Sequence, residues 1–289
     1  MSAGPAAAAV DTRPVDAATA AAAEAAEARS WADLIAAAPP AHAARLGLDA
    51  RWVGGALAIR CAGGGFDRGL FNRAIGLGVV EPATRGAVAA IVAGFRAAGV
   101  RRFMLVSQPH CRPAGYAAWL RDEGLRPAGA WDRVLRDAAP LPPPDPGARA
   151  LRIRPVEGGA VEEWADFLAS VYRVDAAPWL RALHGRPGWT HRLAYEDGLL
   201  VGARSMYLPR PGALAFLAVD GPVPGVMTPD HAPDAALCRA LVAEGLAQGA
   251  AGFVADIEAP SAALDTPAYA IFSGMGFRVP YTRTHHAPG

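Results

Sequence analysis

Two acidic side chains interrupt an otherwise apolar run near the C-terminal end of the chain, where Val254–Glu258 reads VADIE. The run has the length and composition of a strand. Because successive side chains of a strand point to opposite faces, Asp256 and Glu258 share one face. Two carboxylates that face a cleft can take protons as general bases. The same pair at the end of a strand can equally form a solvated rim, and both interpretations stay open.

A third candidate base, Asp220, lies in the extended stretch ALAFLAVDGPVPGVMT, which Asp220-Gly221-Pro222 interrupts. We expect a bulge or a turn at this point, because Gly and Pro break a regular strand. Asp-Gly is also an ordinary turn dipeptide, so a purely structural role is the alternative for Asp220.

Metal and disulfide chemistry are not expected. Cys61, Cys111 and Cys238 are odd in number, far apart and without a CxxC pair, which favours a reducing cytoplasm over an oxidising compartment. His285 and His286 have no matching ligand pair elsewhere and are interpreted as exposed terminal residues. No metal site is therefore predicted.

The composition is that of a globular protein without a strongly charged partner. Of the 289 residues, 52% are hydrophobic, which is enough for one large domain or two smaller ones with their own cores. The formal net charge is +1, so no electrostatic case exists for nucleic acid or an anionic membrane. No apolar run is long enough to span a bilayer. A cytoplasmic location is expected.

A proline-rich boundary divides the chain into two blocks. The segment 138–150, AAPLPPPDPGARA, holds five prolines in thirteen residues and predicts a stiff, extended linker. Residues 16–137 form the first predicted domain, and residues 151–289 form the second. Residues 1–15 are expected to be a disordered tail, ahead of a helix predicted over 16–38.

The two blocks share an order of predicted elements. The second block begins with a strand, an amphipathic helix and a hairpin that turns at Glu196-Asp197-Gly198. An extended stretch, a helix over 234–248 and a strand follow, and a helix over 267–275 ends at Gly276 before the final strand. The first block repeats the second half of this order, which indicates a pseudo-duplication. An α+β fold with a mixed sheet is predicted.

Several motifs resemble the GNAT superfamily of N-acetyltransferases. IRPVEGGAVEEWADFL resembles the opening strand and helix of these proteins, AYEDGLLVGARSMYL resembles their hairpin, and TPAYAIFSGMGF resembles their penultimate helix. The first block, with FNRAIGLG and WLRDEGL, is similar to the degenerate N-terminal repeat of tandem GNAT proteins. The resemblance implies two GNAT-like domains, each a mixed, mostly antiparallel sheet flanked by helices.

The resemblance also implies an activity, that of an acyl-CoA-dependent N-acetyltransferase whose second domain carries the working site. Acetyl-CoA would be the co-substrate, and the acceptor would be a small-molecule or peptide amine, with a homodimer as a further expectation. The alternative is a non-catalytic GNAT-like module for ligand binding or dimerisation that has lost CoA binding. A third interpretation is a cleft that holds a ligand other than CoA.

The loop that binds the cofactor phosphates in GNAT proteins has a different sequence in this chain. In the family, the pantetheine arm enters between two splayed strands, and the pyrophosphate sits on free N–H groups of an Arg- and Gly-rich loop. The equivalent run Thr228–Leu237 lacks that Arg and both glycines, and Pro233 removes an N–H donor. Asp230 and Asp234 would repel phosphates; alternatively, Pro233 and Asp234 simply make a good first helical turn. The resemblance implies cofactor contacts by Val226, Met227, Thr228, Asp234, Ala235, Ala236 and Leu237.

An acid for the leaving thiolate and a pocket for the acceptor are also implied. A Tyr often stands four residues before the Gly of the Gly-Phe pair, where this chain has Phe272. Tyr269, one helical turn earlier on the same face, is the predicted replacement; its alternative is a packed Tyr with its hydroxyl at the sheet edge. Trp179 and Trp189, in loop-like sequence with Pro and Gly neighbours, are predicted to line the acceptor pocket with Asp220.

Overall fold

The fold is that of a computed structural model, which describes residues 10–63, 65–66 and 69–289. This part of the chain contains eight α-helices and eleven strands, which confirms the predicted α+β class. The helices are α1 (Ala17–Ala36), α2 (Pro40–Leu46), α3 (Arg85–Ala97), α4 (Tyr116–Asp122), α5 (Ala160–Tyr172), α6 (Ala177–Leu183), α7 (Ala232–Ala247) and α8 (Pro267–Gly274). The strands are β1 (Asp49–Val53), β2 (Ala56–Arg60), β3 (Arg73–Ile75), β4 (Met104–Ser107), β5 (Leu125–Asp137), β6 (Arg152–Pro155), β7 (Trp189–Glu196), β8 (Leu199–Tyr207), β9 (Leu214–Gly221), β10 (Gly252–Ile257) and β11 (Arg278–Pro288).

The strands form one continuous mixed sheet in the order β1-β2-β3-β4-β11-β5-β10-β9-β8-β7-β6. Neighbouring strands are antiparallel, except that β3 runs parallel to β4 and β9 runs parallel to β10. One half of the sheet comes from the first block and the other half from the second block, apart from two strands at the centre. The mostly antiparallel arrangement is as predicted, and the two halves share a single sheet.

The last strand of each half lies inside the other half. β5 ends the first block, and its residues Asp132–Asp137 pair with β10 of the second block. β11 ends the second block, and it lies between β4 and β5 and pairs with both. This exchange joins the hydrogen-bond ladders of the two repeats, so each half depends on a strand from the other.

The two histidines near the end of the chain lie in β11 at this exchange. His285 and His286 are both buried, so the prediction that they are exposed terminal residues is wrong. His286 Nε2 is 2.8 Å from Ser107 Oγ of β4, and the ring of His285 packs edge-on against Trp131 of β5. The strand exchange is the reason, because it covers the end of the chain on both sides. Among the described residues, no group of His, Cys, Asp and Glu is arranged to hold a metal ion.

Local signals explain several helix ends. Asp16 caps α1 because its side chain accepts a hydrogen bond from the Thr19 N–H at 2.7 Å. Thr84 caps α3 in the same way, through the Ala87 N–H at 3.1 Å. Pro40 begins α2, because a proline fits the first position of a helix, where its missing N–H has no role. None of the helices in the described ranges is both long enough and apolar enough to cross a membrane.

The segments at the two predicted boundaries are irregular but attached. Between β5 and β6 the chain has no regular structure, and the carbonyl of Pro142 accepts a hydrogen bond from Arg239 of α7 at 2.6 Å. Of the predicted tail, residues 1–9 lie outside the described residues. Residues 10–15 contact the folded chain, since Val15 is buried and the backbone N–H of Val279 donates to the Asp11 carbonyl at 2.7 Å.

Helix α1 lies over the joint between the halves, where it packs against β1, β2, β3, β9 and β10. Its buried face carries two acids, Glu24 and Glu27, among small alanines. The acids meet buried arginines from three strands, with Glu24 3.1 Å from Arg133 and Glu27 2.8 Å from both Arg73 and Arg283. Three acids balance three arginines in this central ion cluster, as burial of charge requires. Its members are Glu24, Glu27, Asp256, Arg73, Arg133 and Arg283.

Candidate active site

The parallel strands β9 and β10 separate before they end. They pair from Gly252 opposite Leu214 to Val254 opposite Phe216, and no further pairs follow. β9 is irregular at this point: Val219 has a φ of +40°, and its register against β8 shifts nearby. The strands therefore open into a splay, and the three predicted carboxylates, Asp220, Asp256 and Glu258, lie along its two edges.

Two cavities meet at the splay from opposite sides. The first, the aromatic cavity, has a volume of about 100 Å³ and lies among the sheet, α1, α5 and α6. This volume is several times what one water molecule requires, so the cavity can hold an organic group. The second, the splay groove, has a volume of about 230 Å³ and runs between the separated strands and α8. Both cavities are lined by Arg204, Asp220, Asp256 and Glu258.

Glu258 is the side chain with the electrostatics of a general base. Burial raises the pKa of Glu258 to about 8, and the neighbouring charges of Asp220 and Asp256 act in the same direction. A carboxyl group with this pKa is half ionised near pH 8 and roughly one-tenth ionised at pH 7, so it titrates close to the pH range in which a general base works best. A cationic amine beside it would favour the ionised form and could then give up its proton.

Asp220 is held by two other side chains of the second repeat. Its Oδ2 atom is 3.3 Å from Nη1 of Arg204, and Arg204 also forms an ion pair with Asp234 at the start of α7. The Tyr172 hydroxyl donates to Asp220 Oδ1 at 3.5 Å. Burial raises the pKa of Asp220 although Arg204 opposes the rise. Burial also raises the pKa of Tyr172 well above its usual value, so this hydroxyl keeps its proton.

The two carboxylates of β10 have different surroundings. Asp256 belongs to the central ion cluster, where it is 3.2 Å from Arg133 and 3.2 Å from Arg283. Glu258, two residues further along, lies past the end of the paired ladder where both cavities meet. We therefore separate their roles: Asp256 is a partner of arginines, and Glu258 is the candidate base.

The predicted acid Tyr269 does not reach the splay. Its hydroxyl donates to Asp132 Oδ2 at 2.6 Å and accepts a hydrogen bond from the Ser261 N–H at 2.9 Å. The side chain is buried against β5, and it lines neither cavity, whereas Phe272 on the same helix lines the splay groove. These contacts correspond to the packed Tyr that was its alternative. The Tyr172 hydroxyl, which the motifs did not indicate, donates to Asp220 at the splay.

The loop before α7 uses many of its amides within itself. The N–H of Met227 donates to the Val223 carbonyl and the N–H of Gly225 donates to the Thr228 carbonyl, each at 2.8 Å. The N–H of Asp230 donates to Thr228 Oγ1 at 3.1 Å. Val226 and Met227, two of the predicted cofactor contacts, are exposed at the tip of this loop. The loop thus offers a phosphate fewer donors than an open Gly-rich loop would.

The first turn of α7 is similarly occupied. The N–H of Ala232 donates to Asp230 Oδ1, Pro233 has no N–H, and the N–H of Ala235 donates to the His231 carbonyl inside the helix. Ala236 lies within the helix, and Leu237 is buried against Gly202. Asp234 faces Arg204, which neutralises part of its charge. A small pocket of about 30 Å³ remains beside Thr228, Asp234 and Leu237.

The three residues predicted for the acceptor pocket all line the aromatic cavity. Trp179 lies in α6 and not in a loop, and its indole N–H donates to the Leu34 carbonyl of α1 at 2.5 Å. Trp189 begins β7, and its indole N–H donates to Asp33 Oδ1 of α1 at 2.8 Å. A helix of the first repeat therefore positions both indoles in the cavity of the second, alongside Asp220.

The whole fold matches solved structures of GCN5-related N-acetyltransferases. One from Kribbella flavida is 19% identical, with 93% of this chain and 96% of that chain covered and a TM-score of 0.57. One from Sphaerobacter thermophilus is 12% identical, with 95% and 93% covered and a TM-score of 0.50. No family model and no curated protein matches the sequence. The chain has the GNAT fold in tandem, as an α+β protein of two GNAT-like domains.

Proposed function

We infer that the protein is an acyl-CoA-dependent N-acetyltransferase that works in its second repeat on a small-molecule or peptide amine. One observation carries this proposal: two cavities reach the same half-buried carboxyl, Glu258, from opposite sides at the point where β9 and β10 separate. Direct transfer between two bound substrates requires both to reach one reacting centre, and two cavities that meet at one carboxyl allow this. The fold shared with GCN5-related N-acetyltransferases supports the same conclusion.

In the proposed reaction, the amine enters from the aromatic cavity and the thioester from the splay groove. Glu258 takes a proton from the ammonium group, and the amine nitrogen attacks the thioester carbonyl. The new C–N bond forms as the C–S bond breaks. The nitrogen releases its second proton and the thiolate gains one, so the products are an amide and free CoA. The Tyr172 hydroxyl remains protonated and donates to Asp220. It is therefore the candidate to orient the groups between which these protons move.

The phosphates of acetyl-CoA would contribute less to binding than the pantetheine arm. The arm has the splay groove and the free edges of β9 and β10, whereas the pyrophosphate would meet the self-bonded loop before α7. Thr228 and Asp234–Leu237 remain the proposed neighbours of the phosphates, and Val226 and Met227 those of the outer part of the cofactor. A cytoplasmic location and a homodimer remain predictions.

Isothermal titration of the full chain with acetyl-CoA tests the proposal, together with a thiol-release assay on a mixture of amines. Micromolar to submillimolar binding with release of free thiol is the expected result. Acetyl-pantetheine is the matched ligand, and we expect it to bind within about tenfold of acetyl-CoA because it lacks only the poorly held nucleotide end. Absence of heat and of thiol release at millimolar acetyl-CoA would contradict the proposal and favour the non-catalytic binding module.

A further inference from the structure

The acids at the splay outnumber the arginine that they share. Arg204 forms ion pairs with Asp220, at 3.3 Å between Nη1 and Oδ2, and with Asp234 at the start of α7. Glu258 lines the same two cavities as Arg204 and Asp220. It has no hydrogen bond or ion pair with any residue that the structure describes. Three carboxyl groups therefore accompany one guanidinium, and Glu258 is the one left without a cation.

The central ion cluster does not make up this difference. Arg73 and Asp256 also line the aromatic cavity, but both pair inside the cluster, where three acids balance three arginines. Arg73 and Arg204 oppose the rise in the pKa of Glu258, yet burial and the charges of Asp220 and Asp256 outweigh them. A positive charge beside Glu258 is thus what a ligand can add to this site.

Rings and aliphatic side chains form most of the remaining wall of the aromatic cavity. Both repeats contribute to it, through Trp31, Phe66, Phe71, Trp179, Leu180 and Trp189. An apolar body placed here leaves water, which favours binding. A ligand with charge along its whole length would instead lose hydration against these rings without replacement.

The volume of the cavity limits that body. The aromatic cavity measures about 100 Å³, and a buried apolar cavity of about 150 Å³ holds benzene. One six-membered ring or one branched aliphatic group therefore fits, whereas two fused rings exceed the space. The charged end of such a ligand would lie beside Glu258, where the cavity meets the splay groove.

From this combination of charge, lining and volume we propose that the acceptor is a small cationic primary amine with one compact apolar body and no anionic group. Its ammonium group lies beside Glu258, and its ring or branched chain packs among the tryptophans. The assignment rests on the proposed function, because this amine is the group that would be acetylated. It excludes amino acids, whose carboxylate would meet Asp220 and Glu258, and polyamines, whose second ammonium group would lie against the apolar wall.

Ligand binding to the unaltered full chain, without any acyl donor, tests the assignment. Benzylamine has the proposed charge and body, and isobutylamine keeps the charge on a smaller, aliphatic body. Benzyl alcohol lacks the charge, 4-(aminomethyl)benzoate adds an anion, and butane-1,4-diamine replaces the ring by a second amine. In isothermal titration we expect benzylamine or isobutylamine to bind, and the better of the two to bind at least about tenfold more tightly than the last three compounds.

Tryptamine, with two fused rings, tests the size limit and should bind more weakly than benzylamine. Binding of benzyl alcohol, 4-(aminomethyl)benzoate or tryptamine as tight as that of the better amine would overturn the assignment. Absence of binding by both benzylamine and isobutylamine at millimolar concentration would overturn it as well.

Glu258→Gln tests the position of the charge, because it removes the carboxylate and keeps the size of the side chain. We expect the preference for benzylamine over benzyl alcohol to fall at least about fivefold. Glu123→Gln is the matched control, since Glu123 pairs with Arg96 in the first repeat and lines neither cavity. An unchanged preference in Glu258→Gln would overturn the placement of the amine.

Val174→Phe tests the position of the apolar body, because Val174 lines the aromatic cavity and not the splay groove. We expect benzylamine to bind at least about tenfold more weakly to this variant, and acetyl-CoA to bind as before. Val80→Phe is the control, since Val80 is exposed on the first repeat. If Val174→Phe does not fold by circular dichroism, the ligand series on the unaltered chain still decides.

The assignment and the proposed function fail in different ways. Benzylamine binding without thiol release from acetyl-CoA would leave the ligand site standing and remove the transferase. Acetylation of butane-1,4-diamine or 4-(aminomethyl)benzoate with a kcat/KM equal to that of benzylamine would keep the transferase and remove the assigned class of acceptor.

Discussion

The two repeats have the same strand geometry at their parallel pairs. Gly99 after α3 and Gly249 after α7 both have positive φ, at +71° and +81°. Met104 and Val254 each follow that glycine by five residues, and each is paired in parallel with the strand before the helix, Met104 with Arg73 and Val254 with Phe216. Three residues further along those strands, Gly76 and Val219 both have positive φ, at +82° and +40°. The distortion that opens the second repeat is therefore present in the first.

The side chains at these equivalent positions differ in kind. The second repeat has Asp220, Asp256 and Glu258, and the positions that correspond by this count in the first repeat are Leu77, Val106 and Gln108. In the first repeat the space is filled, since Leu77 is buried and the Tyr116 hydroxyl donates to the Val106 carbonyl at 3.1 Å.

The distorted strand and the carboxylates beside it do not depend on each other. The first repeat forms the distorted strand without a carboxylate at any of the three positions, so the carboxylates are not required to build it. Burial of a carboxylate is unfavourable, and the second repeat nonetheless keeps three at the splay. This favours a chemical role for Glu258 above all, because Asp220 and Asp256 are each paired with arginines.

Replacement of the candidate base should have the largest effect. Glu258→Gln gives the second repeat the amide that the first has at Gln108, and it removes the proton acceptor. We expect kcat/KM for acetyl transfer to fall by about 10²–10⁴-fold, with acetyl-CoA binding unchanged by isothermal titration. Gln108→Glu is the matched control and should leave initial rates unaltered. A Glu258→Gln enzyme within a few-fold of the original rate would show that Glu258 is not the base.

Removal of one acid from the central ion cluster should mainly affect stability. Glu27→Gln leaves Arg73, Arg133 and Arg283 with unbalanced buried charge, and we expect the free energy of unfolding in urea to fall by about 3–5 kcal/mol. Asp122→Asn is the control, because its ion pair with Arg85 is on the surface and contributes about 1 kcal/mol or less. Equal losses of unfolding free energy in the two variants would contradict the proposal that the central ion cluster holds the two repeats together.

The same acid predicts a direction for the pH dependence of stability. Burial alone raises the pKa of Glu27, but the charges of Arg283, Arg133 and Arg73 outweigh burial and hold this pKa well below its usual range. A carboxylate with a depressed folded pKa stabilises the fold above its unfolded pKa, and that stabilisation is lost as pH falls below it. The free energy of unfolding measured in urea should therefore fall as the pH is lowered from about 4. It should fall less steeply in Glu27→Gln.

The candidate base also predicts a pH dependence of the rate. Burial raises the pKa of Glu258 to about 8, so only the fraction ionised below that value can accept a proton. We expect kcat/KM to rise about tenfold per pH unit up to about pH 8 and then level off. Deprotonation of the amine itself also raises the rate, so Glu258→Gln measures that contribution separately. Identical profiles for the two enzymes would assign the whole dependence to the amine.

The sequence predicts the parts of the fold that local signals control. The turn at Glu196-Asp197-Gly198, the cap at Asp16 and the order of the elements follow from neighbouring residues. The exchange of β5 and β11 does not, because both strands have similar alternation and their partners lie far away in the chain. The burial of His285 and His286 depends on that exchange, and no local pattern indicates it.

The candidate site divides in the same way. Alternation places Asp256 and Glu258 on one face, but it cannot show that arginines from β5 and β11 take one of them and leave the other at the cavities. Tyr269 has a suitable position on α8, yet its partner Asp132 precedes it by 137 residues.

The smallest expected effect concerns the loops before the two equivalent helices. Thr84 caps α3 without charge, whereas Asp230 precedes α7 and Asp234 lies in the first turn of α7. Asp230→Asn removes one of these charges and leaves Arg149, which is 2.6 Å from Asp230, with only its second partner, Glu196 at 2.9 Å. Both changes favour a phosphate nearby, so we expect acetyl-CoA to bind about two- to fivefold more tightly at low salt and the gain to fade at high salt.

Isothermal titration at two ionic strengths measures this gain, with Asp122→Asn as a control for the same change in net charge on the first repeat. Acetyl-pantetheine, which has no pyrophosphate, should bind equally to the original chain and to Asp230→Asn. If acetyl-CoA shows no gain either, the pyrophosphate does not lie near Asp230. The proposed contacts at Thr228 and Asp234 would then be lost together, because both share one small pocket with that carboxylate.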